Sequence, residues 1–107
     1  MEKITVQYLP EIAEYLNELT VLLFQKNYFS TLESSVSYIE KLIDFIDHKI
    51  NLYPKRYTPE HLLELGSNYV FYRANPSTSW YVFFENFENQ YLITYITNNH
   101  SEIINLL

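Results

Sequence analysis

The side chains with most capacity for chemistry in this sequence are one lysine, two arginines and one histidine. Lys55 and Arg56 lie in the only basic segment, residues 48–61, where they can contact a phosphate backbone or an acidic partner. Arg73 lies in an aromatic segment and can meet a carboxylate or a phosphate there, with Glu85 as an equally good partner across a sheet. His100 follows another aromatic segment and is suited to proton transfer near neutral pH.

These residues also have simpler interpretations, and several kinds of site are excluded outright. Three charges in a solvated loop are favoured to balance acidic helices, and an isolated histidine more commonly caps or lies on the surface. The chain has no cysteine, one glycine and three scattered histidines, so thiolate sites, glycine-rich phosphate loops and zinc sites are not indicated. We expect no cofactor and no metal.

Length and charge set the class of protein. The chain has 107 residues, the commonest size for a single domain, so residues 1–107 are predicted to form one domain. Its 13 acidic residues against 7 Lys and Arg give a net charge of −6, which argues against a general nucleic-acid-coating role. Without a signal sequence or an apolar run long enough to span a bilayer, we expect a cytoplasmic protein with no membrane partner.

The N-terminal half is predicted to hold a strand and a helical hairpin. Apolar and polar residues alternate over Ile4–Leu9, which is typical of a short half-buried strand. Apolar residues at helical spacing follow from Ile12, and the sequence Ser30–Glu33 fits a capping box before a second helix over Thr31–Ile50. A connection as short as Asn27–Phe29 makes the two helices antiparallel neighbours.

The C-terminal half is predicted to be mostly strands. A short helix over Pro59–Leu65, capped by Thr58 and ended by Gly66, precedes three strand-like runs joined by short turns, Asn68–Ala74, Trp80–Phe87 and Gln90–Asn98. The tail after Ser101 forms either a helical turn or an added strand. The element order β-α-α-(short α)-β-β-β predicts an α+β fold, with an antiparallel sheet of about four strands packed on the helical hairpin.

Aromatic residues are the most distinctive feature of these strands, in a chain with 11 Tyr and 7 Phe. The last two strands are apolar on both faces, and strict alternation places Tyr91, Ile93 and Tyr95 on one face with Leu92 and Ile96 on the other. Core filling and a partner-binding face explain the pattern equally well. The predicted partner-binding residues are Tyr69, Tyr72, Trp80, Tyr81, Phe83, Tyr91 and Tyr95.

Three segments of the sequence resemble a known family. Leu62–Tyr72, with its leucines, glycine and tyrosines, and the runs Trp80–Phe84 and Tyr91–His100 are similar to the strands of the RelE/ParE toxins of bacterial type II toxin–antitoxin systems. The resemblance covers nearly the whole chain in layout and implies a RelE/ParE-like fold. It also implies a toxin that inhibits growth through translation or DNA gyrase and is neutralised by a cognate antitoxin.

The family offers two modes of action. A RelE-like member is a ribosome-dependent mRNA endonuclease, and the residues that match such a site are Lys55, Arg56, Arg73 and His100, although Val70 stands where the family usually has arginine. A ParE-like member binds DNA gyrase without that basic site. A third hypothesis is a non-catalytic interaction module, either a decayed toxin or a homodimer formed through the aromatic face.

Overall fold

A short edge strand and two amphipathic helices open the computed structural model of this chain, which describes residues 3–26 and 29–107. Strand β1 spans Thr5–Tyr8, helix α1 spans Pro10–Gln25 and helix α2 spans Leu32–Lys49. Proline at the first position of α1 suits a site whose backbone N–H has no partner within the helix. The predicted connection over residues 27–29 lies mostly outside the described residues.

Thr31 caps the start of α2. Its backbone is extended, and its side-chain oxygen accepts a hydrogen bond of 3.0 Å from the backbone N–H of Ser34. The predicted capping box over Ser30–Glu33 is therefore wrong by one residue. The two helices meet where the Ser35 hydroxyl, fully buried, donates to the carbonyl of Thr20 on α1.

Four further strands complete a five-stranded mixed sheet. They are β2 (Arg56–Tyr57), β3 (Asn68–Asn75), β4 (Thr78–Phe87) and β5 (Gln90–Asn98), and the strand order is β1-β5-β4-β3-β2. The expected antiparallel sheet of about four strands needs two corrections. The two-residue strand β2 adds an edge, and β1 pairs with β5 in parallel, which the long chain between them permits.

The main core lies between the helical hairpin and one face of the sheet, here called the inner face. Most of its fully buried members come from α2 and from the three long strands, and include Phe45, Ile46, Trp80, Val82, Phe84 and Ile93. Two polar contacts join the layers: Tyr38 accepts a hydrogen bond of 2.7 Å from Trp80 Nε1, and Tyr8 donates to Asp47. Each lets an amphipathic aromatic ring bury its apolar body without leaving its polar atom unpaired.

A bulge in β5 decides which rings face the helices. Phe83 and Phe84 are consecutive on β4, but they pair with Tyr95 and Ile93, so Thr94 is an extra residue. Tyr91, Ile93 and Ile96 all belong to the main core or pack on it, whereas Tyr95 packs edge-on against Phe83 across the opposite, outer face. The prediction that Tyr95 shares a face with Tyr91 and Ile93 is wrong, because one inserted residue reverses the alternation.

Part of the outer face is covered by two 3-10 helices, Glu60–Leu65 and Glu102–Leu106. The second shows that the tail after Ser101 forms a helical turn and not an added strand. His61 Nε2 donates to the carbonyl of Leu106 at 2.6 Å, which joins the two segments. Among the described residues, three hydrophobic side chains are buried outside the main core. They come from the first segment, from β4 and from the tail: Leu62, Phe83 and Ile104.

The sequence predicted that Thr58 caps the short helix, and this prediction is wrong. Pro59 holds the cap position, and no side chain accepts a hydrogen bond from the first turn. The Thr58 hydroxyl is buried and has no hydrogen-bond partner among the described residues. We expect Thr58→Val to raise the free energy of unfolding by about 1 kcal/mol, because it removes an unpaired polar group. Thr94→Val is the matched control: its hydroxyl donates to the Leu65 carbonyl, so the same change should destabilise. Urea unfolding measures both, and equal losses would contradict the expectation.

Tyr8 makes stability depend on alkaline pH. Burial, together with the hydrogen bond to Asp47 and its charge, raises the pKa of Tyr8 far above its usual 10.0. The folded protein therefore keeps a proton that the unfolded chain loses above about pH 10, so the free energy of unfolding falls as pH rises beyond that point. Burial also raises the pKa of Tyr15, Tyr38 and Tyr91.

The test of this linkage is Tyr8→Phe. We expect the variant to lose about 1 kcal/mol near neutral pH, where one hydrogen bond disappears, and to show a shallower fall in stability between about pH 9 and pH 11. Urea unfolding across this range measures the slope. An unchanged slope would show that the other three tyrosines carry the whole effect.

Candidate functional site

The seven predicted partner-binding aromatic residues lie on both faces of the sheet. Trp80 is 1% exposed, Tyr72 stacks on Phe45 with ring centroids 4.9 Å apart, and Tyr91 packs against Phe84 at 5.4 Å. All three belong to the inner layer. Burial raises the pKa of Tyr91, as expected for a phenol packed against the core. Trp80 is therefore too buried to contact a partner, whereas Tyr72 and Tyr91 are half-buried on the inner side of the sheet.

The other four predicted residues form a row on the outer face, together with one that the sequence analysis missed. Phe71 packs on Tyr81 at 5.7 Å, and Tyr81 packs on Tyr69 at 6.1 Å. Tyr69 in turn meets Phe83 at 5.4 Å, and Phe83 meets Tyr95. Phe83 is fully buried, whereas Phe71 is 39% exposed and ends the row at its open side. The sequence carried a signal for Phe71, because residues two apart in a strand lie on the same face and Phe71 is two residues after Tyr69.

Two arginines surround this exposed end. The Arg56 guanidinium lies 5.1 Å from the centre of the Phe71 ring, a cation–π contact. Arg56, Phe71 and Arg73 line one cavity of about 330 Å³, which Tyr53, Pro54 and Tyr72 complete. The structure thus brings two of the four predicted catalytic residues together, on β2 and β3.

Arg73 is held by the turn between β3 and β4. Its guanidinium donates to the carbonyls of Asn75 and Pro76, at 3.4 and 3.0 Å. Arg73 lies opposite Ser79 in the register of the sheet, while Glu85 lies at the far end of β4 and accepts from the backbone N–H of Ser67. The predicted Arg73–Glu85 pair is therefore wrong.

His100 lies beside the first residue of β4, next to that turn. Its Nε2 lies 3.2 Å from the hydroxyl of Thr78, and its backbone N–H donates to the Asn98 side chain. The imidazole is exposed. Lys55 lies elsewhere, because its Nζ donates to Asn86 at 3.3 Å, near the opposite end of β4. The four predicted residues therefore do not form one cluster: Arg56 and Arg73 share a cavity, His100 lies beside the start of β4, and Lys55 lies near the end of β4.

The side chain of Val70 points into the core and not towards the outer face. Val70 is 1% exposed and belongs to the main core on the inner face. Arg73 is three residues further along the same strand, and an odd shift reverses the face. Arg73 therefore lies on the outer face.

Two more cavities border β3 on the inner face, and the sequence analysis missed both. One of about 430 Å³ lies beside Tyr38, Tyr72 and Ala74, and one of about 610 Å³ lies beside Phe45, Lys49 and Tyr53. Both are bordered by Lys41 and Tyr72. They form only where α2 meets β3, residues distant in the sequence, so no local pattern indicates them.

The remaining chemistry is limited, and comparison with known proteins adds no identification. Among residues 3–26 and 29–107, no three His, Asp or Glu side chains cluster to hold a metal ion. No helix in this described part of the chain has the length and apolar character to cross a membrane. The chain matches no protein-family model, no curated protein and no solved structure.

Proposed function

We propose that this chain is a growth-inhibiting toxin of the RelE/ParE type, kept inactive by a cognate antitoxin protein. The observation that carries the proposal is the order of elements: a strand, a helical hairpin and three consecutive antiparallel strands, with the first strand beside the last. The similar segments Leu62–Tyr72, Trp80–Phe84 and Tyr91–His100 support it. Because one fold hosts many functions, the activity itself needs a direct test.

Binding to a protein target, such as DNA gyrase, is the mode of action that the charges favour. The chain carries a net charge of −6, and Lys55 lies apart from Arg56, Arg73 and His100. A site that holds a ribosome-bound message normally has a larger basic surface. The outer aromatic row instead ends in Phe71, which is 39% exposed, and exposed aromatic rings are typical of protein contacts.

Expression in a bacterium tests the proposed toxin. We expect induction to stop growth, and co-expression of the short reading frame next to the gene to restore it. The destabilised variant Trp80→Ala serves as the control, since loss of the folded state should remove the toxicity. Normal growth in cells that accumulate the soluble, folded wild-type protein would contradict the proposal.

A ribosome-dependent mRNA endonuclease is the second candidate. Arg73 contacts Pro76 in the turn before β4, His100 contacts Thr78 at the start of β4, and Arg56 shares a cavity with Arg73. In this mechanism the histidine transfers protons and the arginines stabilise the phosphate during attack by the 2′-hydroxyl. We expect His100→Ala to slow message cleavage on the order of 100-fold or more. Lys55→Ala should cleave normally, since Lys55 lies apart. Unchanged toxicity of an Arg73→Ala/His100→Ala double variant would exclude this candidate.

A further inference from the structure

The turn between β3 and β4 is exposed, yet side chains satisfy several of its backbone groups. The carbonyls of Asn75 and Pro76 accept hydrogen bonds from Arg73, at 3.4 and 3.0 Å. The backbone N–H of Ser77 donates to the Asn75 side chain at 3.0 Å. An exposed turn can leave such groups to water, so these side-chain contacts indicate a turn that is held in one conformation.

Asn99 closes the other side of this turn. Its backbone N–H donates to the carbonyl of Ser79 at 3.0 Å, and its side-chain oxygen accepts from the backbone N–H of Ser79 at 2.9 Å. Its side-chain nitrogen donates to the carbonyl of Ser77 at 3.1 Å. An amide side chain has both a donor and an acceptor, and Asn99 uses one of each to bridge the turn and the start of β4.

The same short segment directs His100 to β4. The Asn98 side chain accepts from the backbone N–H of His100 at 2.9 Å, a contact typical of asparagine where the chain reverses. The imidazole Nε2 then lies 3.2 Å from the hydroxyl of Thr78. Thr78 stands between the two residues that Asn99 contacts. Asn99 therefore fixes the residue against which the His100 ring lies.

One nitrogen of the His100 ring is anchored and the other is open. Nε2 contacts Thr78, whereas Nδ1 has no hydrogen-bond partner within the described ranges, and the ring is exposed. The contact that one imidazole nitrogen makes sets which of the two carries the proton. A proton-transferring atom must also come within about 3 Å of the atom that gives or takes the proton. The orientation of the ring therefore decides whether it can act.

We propose that Asn99 is a positioning residue for His100. By bonding to both sides of Thr78 it holds that hydroxyl in place, and the Nε2–H group of His100 donates to the hydroxyl. Nδ1 is then the atom that exchanges a proton with a bound message. It accepts the proton of the 2′-hydroxyl while that oxygen bonds to phosphorus, and the 5′-oxygen leaves with a proton from water. The inference rests on the endonuclease candidate above, but the placement of the ring is measurable without any activity.

Nuclear magnetic resonance of the labelled whole protein tests the placement. At about pH 8, where an ordinary imidazole is neutral, we expect the Nε2–H tautomer and close contacts between the His100 ring protons and the Thr78 methyl group. Asn99→Ala should lose these contacts. Asn89→Ala is the matched control, because Asn89 is exposed in the turn between β4 and β5 and, within the described residues, its side chain forms no hydrogen bond. Unchanged contacts in Asn99→Ala, equal losses in both variants, or an Nδ1–H tautomer in the wild type would overturn the proposal.

Cleavage of a ribosome-bound message tests the consequence. We expect Asn99→Ala to slow cleavage on the order of 100-fold through kcat, with KM unchanged, because it misplaces the ring without touching the message. Thr78→Val keeps every contact of Asn99 but removes the hydroxyl beside Nε2, and should slow cleavage similarly. Asn89→Ala should cleave normally.

The outcomes separate the inference from the function on which it rests. Normal cleavage by folded Asn99→Ala protein would overturn the positioning role, since a merely structural role lowers stability and leaves the folded fraction fully active. Wild-type protein that cleaves no message on the ribosome would overturn the endonuclease candidate and the proton transfer through Nδ1. The resonance contacts would still decide whether Asn99 holds the ring.

Discussion

Replacing Trp80 by alanine should lower the free energy of unfolding by about 3–5 kcal/mol, a large part of the total stability of a domain of this size. The indole is 1% exposed in the main core. Its Nε1 donates a hydrogen bond of 2.7 Å to the Tyr38 hydroxyl. Burial raises the pKa of Tyr38, and the hydrogen bond from Trp80 offsets part of that rise. Truncation leaves a cavity between α2 and the sheet and also removes the partner of the Tyr38 hydroxyl.

Urea unfolding monitored by circular dichroism measures this loss. Phe87→Ala is the matched control, since Phe87 is an aromatic residue on the same strand but is 73% exposed, and its loss should change stability by about 0.5 kcal/mol or less. A Trp80→Ala variant as stable as Phe87→Ala would mean that the helical hairpin does not pack on the inner face. The result also bears on function, because reduced partner binding by this variant would report unfolding and not a lost contact.

Replacing Gly66 by alanine should cost about 2–4 kcal/mol, since it combines backbone strain with steric overlap. Gly66 has φ +151°, a conformation that residues with a side chain rarely adopt. A Cβ atom here would overlap Thr94 Oγ1 and lie 2.9 Å from the backbone nitrogen of Phe84. The second contact involves the centre of the sheet, which cannot move aside without breaking its pairing with β3 and β5.

The neighbouring substitution Ser67→Ala separates strain from a general effect on this segment. Ser67 is exposed and its backbone N–H, which the substitution keeps, donates to Glu85. We expect its unfolding midpoint to stay near that of wild type, while Gly66→Ala unfolds at much lower urea concentration. Equal midpoints for the two variants would show that the 3-10 helix Glu60–Leu65 can move away from the sheet at little cost.

The sequence predicted the secondary structure well because its signals are local. The spacing of apolar residues identified both helices, and the strands over 68–74, 80–87 and 90–98 were predicted almost to their observed bounds. Gly66 correctly marked the end of the short helix that precedes β3. The errors were also local: Thr31 replaced Ser30 as the cap, and the two-residue strand β2 is too short to leave a pattern.

The candidate site was predicted only in part, because it depends on contacts between distant residues. Arg56 and Arg73 were identified by type, but their meeting at Phe71 follows from the pairing of β2 with β3. Lys55 was grouped with them by sequence proximity, yet its side chain extends the other way, to Asn86. The outer aromatic row was mixed with inner residues such as Tyr72 and Trp80, since strands that are apolar on both faces carry no signal for which face is inner.

By itself, the sequence determined that this protein has two amphipathic helices and several aromatic strands, since periodicity, turns and caps act within a few residues. Only the tertiary structure decided what the cationic and aromatic residues can do. A single extra residue at Thr94 placed Tyr95 on the outer face, and the pairing of β2 with β3 brought Arg56 to the Phe71 ring beside Arg73. Both outcomes depend on strand register, which is set by packing across the whole sheet and not by any local segment.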